Sequence, residues 1–190
     1  MSAVLQRPMS LTEFLAWEEK QELRYEFDGF QPVAMTGGTA RHELIGNRLR
    51  AILYENLRGK PSRPWGPTTK IEVQGRIRYP DAYVSCTEVA PNATIVPEPV
   101  VVFEVLCPGT SRTDRIAKLR EYQATPSIQR YVILEQDSIA ATVFSRLGNE
   151  WVARALTEAD LLPMPEIDIE LRLSDIYVDV TFDEADASLA

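Results

Sequence analysis

Apolar and polar positions alternate along the chain with two periods, and these divide it into short elements. Ser10-Leu-Thr-Glu13 spells a capping box, and Leu11, Phe14, Leu15 and Glu18 follow at helical spacing. That predicts an amphipathic helix over residues 11–21. Arg24–Phe27 and Phe30–Met35 are β-favouring runs either side of Asp28-Gly29, a hairpin signal that puts Glu26 on the first strand. After a break at Thr36–Thr39, His42, Ile45, Leu49, Ile52 and Leu53 share one face of a helix over 40–57. The Gly- and Pro-rich stretch 59–67 reads as a loop. Lys70–Gln74 alternates like a strand, with Gly75-Arg76 as its turn and Asp81–Ser85 as its partner. The polar, proline-punctuated stretch 88–99 is a second loop.

Val100–Leu106 is the strongest strand signal, a β-branched run with the spelling of a strand buried on both faces. Ser111 or Thr113 can cap a helix that stops before Pro126, with Asp114 in its first turn, where the helix dipole favours an acid. Arg130–Leu134 is a further strand, and Ile139–Arg146 with Trp151–Leu156 forms a hairpin about Gly148-Asn149. A weak alternation follows at Ile167–Leu173. This order predicts an α/β (α+β) fold with a mixed central sheet flanked by helices and added N-terminal and C-terminal hairpins. With no repeat and no long linker, residues 1–190 read as a single domain with an acidic extension from about 158.

Charge changes this picture little. The net charge of −8 argues at first against a nucleic-acid partner. Residues 158–190, however, carry ten acidic residues and one basic residue, Arg172, and the rest of the chain has a net charge of +1. The acidity is therefore local. Apolar runs are far shorter than a membrane span, and residues 1–10 hold no signal-peptide core, so the expected compartment is the cytoplasm. Cys86 and Cys107 match no metal spacing and read as reduced thiols.

Chemistry enters at Glu104, which lies inside the buried strand. A lone carboxylate there costs several kcal/mol, so it must be protonated, ion-paired or bound to a metal. Asp81 on a neighbouring strand can meet it across the sheet. Two carboxylates with the Val105 carbonyl and water make a hard-oxygen set suited to Mg²⁺ or Mn²⁺. Lys118, one helical turn after Asp114, could orient a water or stabilise an oxyanion. Each of these residues also has a plain reading. Glu104 can pair with an arginine, and Asp81 can simply begin a strand. Lys118 can pair with Asp114 for a few tenths of a kcal/mol. Glu26 can be an edge-of-sheet charge and His42 a satisfied core or capping residue.

Pro80-Asp81, followed by Glu104-Val105-Leu106 after a hydrophobic strand, resembles the core of the PD-(D/E)xK nuclease superfamily, although that superfamily's lysine would fall at Leu106. The chain is more closely similar to one branch, the Uma2-like (DUF820) proteins. The similarity lies in Arg24-Tyr-Glu-Phe-Asp-Gly29, His42 and its helix, Tyr79-Pro-Asp81, Val101–Leu106, Asp114–Lys118–Tyr122 and Arg130–Ile133. The resemblance implies a restriction-endonuclease-like fold, with Asp81 and Glu104 as metal ligands, Lys118 as the relocated lysine and Glu26 as a further acidic site residue. One departure is Cys107 where the family usually has serine. The implied activity is metal-dependent endonucleolytic hydrolysis of DNA phosphodiesters. The alternative is a catalytically inactive nuclease-like binding or assembly module, and the family suggests a homodimer.

Overall fold

The structure is a computed structural model that describes residues 7–35, 37–106 and 112–182, with only the backbone of 112–114. The cap expected at Ser111 or Thr113, the Asp114 side chain and Cys107 lie outside what it describes. Helices α1 (Leu11–Glu18), α2 (Ala40–Asn56), α3 (Arg112–Ala124) and α4 (Leu173–Ile176) surround strands grouped in three sheets. The central sheet has six strands: β3 (Arg63–Trp65), β6 (Ala82–Ser85), β7 (Pro99–Val105), β8 (Arg130–Leu134), β9 (Ala140–Leu147) and β10 (Glu150–Thr157). Their order is β10-β9-β8-β7-β6-β3. A second sheet orders β2 (Pro32–Ala34), β1 (Tyr25–Phe27), β5 (Arg76–Arg78) and β4 (Ile71–Val73). Strands β11 (Leu161–Met164) and β12 (Ile169–Arg172) pair alone.

β7 and β8 run parallel and the other pairs antiparallel, so the central sheet is mixed. A parallel pair needs a crossover, which α3 supplies. β7 is buried on both faces, as its spelling predicts. Val101, Phe103 and Val105 pack with Ile45, Leu49 and Leu53 of α2, and Val102 packs with Tyr122 of α3 and Tyr131 of β8. Side chains alternate along a strand, so Glu104 falls on the face that α3 covers. α1 opens with the predicted capping box: the Ser10 hydroxyl accepts from the Glu13 amide, and Glu13 accepts from the Ser10 amide.

Three expectations change. Lys70–Gln74 does not pair with Asp81–Ser85. β4 pairs with β5, because Gln74 (φ 51°) and Gly75 (φ 72°) make a two-residue turn with both residues left-handed. β6 instead joins the central sheet between β7 and β3. The 59–67 loop contains β3, whose Pro64 is tolerated because β3 is an edge strand. The acidic segment after 158 is built into the core: Leu162, Met164, Ile167, Leu171, Leu173, Ile176 and Tyr177 are buried with the α2 and β7 residues. Of its carboxylates, Glu166 turns inward to pair with the buried Arg130, while Glu158, Asp168, Glu170, Asp175 and Asp179 are exposed. Among the described residues, no helix is long and apolar enough to cross a membrane.

Candidate functional site

Register brings the first two carboxylates together. Ala82 of β6 faces Phe103 of β7 in an antiparallel pair, so the residue before one strand's partner and the residue after the other's, Asp81 and Glu104, are neighbours. The Asp81 Oδ2 accepts from the Val105 amide at 2.7 Å and lies 3.2 Å from His42 Nε2. The Glu104 Oε1 accepts from the Tyr122 hydroxyl at 2.9 Å and from Lys118 Nζ at 3.3 Å. Lys118 and Tyr122 are one turn apart on α3, which is why a single helical face delivers both.

Glu26 arrives from the other sheet. Phe27 faces Ile77, so Glu26 and Arg78 are cross-strand neighbours. Arg78 Nη1 lies 3.1 Å from Glu26 Oε2, and Lys118 Nζ lies 3.2 Å from Glu26 Oε1. The Tyr79 amide also donates to Glu26 Oε1 at 3.3 Å. Arg78 grips Glu121 of α3 with two bonds, of 2.7 and 2.8 Å. Lys118, Glu121 and Tyr122 therefore tie α3 to both sheets. Burial alone would disfavour the Arg78 charge, but Glu121 and Glu26 outweigh it and hold the guanidinium protonated.

Glu104 carries the main electrostatic tension. Burial pushes its carboxyl up, Lys118 and the Tyr122 hydrogen bond oppose, and the nearby Asp81 and Glu26 push it further, to about 7. The hydrogen bond to Asp81 raises the His42 imidazole above its ordinary value, against the opposing effect of burial. Burial, reinforced by Glu104, holds the Tyr122 phenol well above its ordinary value, so it serves as a donor.

The donor chemistry fits a divalent cation. Among the described residues, protein donors hold Asp81 by Oδ2 and Glu104 by Oε1, and neither Asp81 Oδ1 nor Glu104 Oε2 accepts a hydrogen bond. Mutual repulsion among Asp81, Glu104 and Glu26 is what a dication offsets. No three His, Cys, Asp or Glu side chains among the described residues form a ready cage. A cation here would take two carboxylates and complete its shell with carbonyl and water oxygens, as Mg²⁺ commonly does.

Glu26, Asp81, Glu104 and Lys118 thus converge, and Val105 joins them through its amide. The pairing of Lys118 with Glu104 and Glu26 adds a role to the plain reading of a helix salt bridge. Arg78 and Glu121 were missed, and Tyr122, part of the Asp114–Lys118–Tyr122 stretch, was given no site role. Tyr122 was visible as the residue one turn past Lys118. Arg78 was hidden because β5 was not expected: Gly75-Arg76 reads as a turn leading to Asp81–Ser85.

Comparison with known proteins identifies the family and the fold. An uncharacterized protein of Synechocystis sp. is 28% identical over 178 residues, covering 92% of this chain and 94% of its own. A crystal structure of "a putative nuclease belonging to DUF820" from Anabaena variabilis superposes with a TM-score of 0.76. It is 17% identical and covers 92% of this chain and 100% of its own, a likeness of fold. Over residues 11–175 the chain matches, and belongs to, the Uma2 family, described as "Putative restriction endonuclease".

Proposed function

We propose that the chain is a metal-dependent endonuclease that hydrolyses DNA phosphodiester bonds, with Asp81, Glu104 and the Val105 carbonyl holding Mg²⁺ or Mn²⁺. The observation that carries this reading is Glu104 itself: a carboxylate in a buried strand, opposite Asp81, met by a lysine from the following helix. A bound dication would neutralise phosphate charge and lower the pKa of a water. The Val105 amide and His42 hold Asp81 oriented, and the Tyr122 hydroxyl fixes Glu104. The Lys118 ammonium is a hydrogen-bond donor only, so it does not act as a base. Its role is to place positive charge where the phosphate oxygens gain negative charge, beside the attacking water. Glu26, held by Arg78, keeps Lys118 aimed into the site and orients a further water.

The test is Mn²⁺ titration by calorimetry with wild type, Asp81→Ala and Glu104→Ala, followed by incubation of each with supercoiled plasmid. Binding and nicking by wild type alone supports the reading. Full metal-dependent nicking by either variant overturns the assignment.

A second reading is an inactive nuclease-like module used for binding or assembly as a homodimer. Lys118 favours it, because a protein cation already lies between Glu26 and Glu104. Its signature is no heat of binding at millimolar Mg²⁺ or Mn²⁺, with a dimer in sedimentation equilibrium.

A further inference from the structure

Asp81 begins its strand outside the β6 ladder, which starts at Ala82, so neighbouring side chains must set its backbone. Arg50 of α2 does this: its Nη1 donates to the Asp81 carbonyl at 2.9 Å. The other arm of the fork is also committed, since Nη2 donates to Glu43 Oε1 at 3.1 Å and to Asn47 Oδ1 at 2.6 Å. Two glycines leave room for the side chain. A Cβ on Gly66 would stand 2.8 Å from Arg50 Cδ, and a Cβ on Gly46 would stand 3.1 Å from Arg50 Nη1. α2 therefore holds Asp81 at two points, the carboxylate through His42 and the carbonyl through Arg50. The Val105 amide holds the same carboxylate oxygen, Oδ2, as His42 does.

We infer that Arg50, seated in the Gly46–Gly66 slot, is a positioning residue that sets Asp81 and with it the divalent-cation affinity of the site. This rests on the reading of Asp81 as a cation ligand. An arginine does what a lysine cannot do fully here, because one planar fork reaches the Asp81 carbonyl and two anchors on its own helix. Its committed contacts also separate it from a phosphate-binding arginine. Partners that orient a ligand from behind typically change metal affinity by about 10–100-fold when lost.

The experiment compares wild type, Arg50→Met, Arg50→Lys, Gly66→Ala and Asp81→Asn. Two readouts are taken: the Mn²⁺ dissociation constant by calorimetry, and amide exchange at Val105 in the metal-free protein. Arg50→Met is expected to weaken Mn²⁺ binding by about 10–100-fold. It should also speed exchange at Val105 while core amides such as Val132 are unchanged. Gly66→Ala should move both readouts in the same direction without altering any charge, and Arg50→Lys should retain part of the affinity. Those two variants keep the test decisive even where Arg50→Met does not fold. Wild-type affinity and wild-type Val105 exchange in Gly66→Ala and Arg50→Lys, with Mn²⁺ binding lost in Asp81→Asn, would overturn the inference and leave the cation site standing. Wild-type Mn²⁺ binding by Asp81→Asn would instead remove Asp81 as a ligand, and the inference with it.

Discussion

Glu104→Gln should stabilise the metal-free protein, and the gain should depend on pH. Moving the carboxyl from its ordinary 4.5 to about 7 corresponds to about 3 kcal/mol at 1.36 kcal/mol per pH unit. The folded state binds this proton more tightly than the unfolded state does. The glutamate therefore carries no penalty below about pH 4.5, and the penalty grows as pH rises to about 7 and is constant above it. Glutamine keeps an acceptor for the Tyr122 hydroxyl, and Lys118 keeps its contact with Glu26. In EDTA at pH 8, the variant should melt about 6–12 °C above wild type, at roughly 2–4 °C per kcal/mol for a chain of this size. Near pH 4.5 the two should coincide. Mn²⁺ at a hundredfold excess over its dissociation constant would return about 2.7 kcal/mol to wild type and largely cancel the difference. Thermal unfolding followed by circular dichroism from pH 4.5 to 8.5 measures this. A variant less stable than wild type at pH 8, or a gap flat across pH, would refute the argument that uncompensated charge destabilises the site.

Three further outcomes follow from the same contacts. Arg78→Met leaves Glu26 and Glu121 buried without their shared guanidinium and should cost about 3–5 kcal/mol in urea unfolding. Lys118→Met removes the cation between Glu26 and Glu104. It should lower plasmid nicking by about 10²–10³-fold while calorimetric Mn²⁺ binding stays equal or tightens. Leu173→Ala, in the acidic C-terminal segment but fully buried in the main core, should cost about 2–5 kcal/mol in urea unfolding; an effect under 0.5 kcal/mol would mean that the segment is an accessory.

Local signals carried much of the fold. The capping box at Ser10, the Asp28-Gly29 hairpin, the α2 stripe from Ile45 to Leu53 and the buried run into Glu104 were legible because each depends on residues within a few positions. The same holds for the suspicion attached to Glu104, since a carboxylate in a doubly buried strand needs a partner wherever the strand lies. The partner choices were not legible. Whether β4 pairs with β5 or β6 depends on the left-handed turn at Gln74-Gly75 and on which sheet accepts each edge. β3 was hidden because an edge strand tolerates the proline that local rules read as a loop. The acidic tail looked like an extension because its charges dominate its composition, while its apolar residues find their core only once α2 is in place.

The sequence by itself determined the buried faces of α2 and β7, where α1 and α2 begin and which carboxylate would be under stress. Only the tertiary structure decided what surrounds that carboxylate. Register sets Asp81 against Glu104, the crossover helix delivers Lys118, Glu121 and Tyr122 together, and the second sheet brings Glu26 and Arg78 from more than fifty residues before α3 and from the strand beside it. Contacts between residues so far apart along the chain depend on how sheets pair and stack. That pairing is settled by burial summed over the whole core and leaves no local spelling to read.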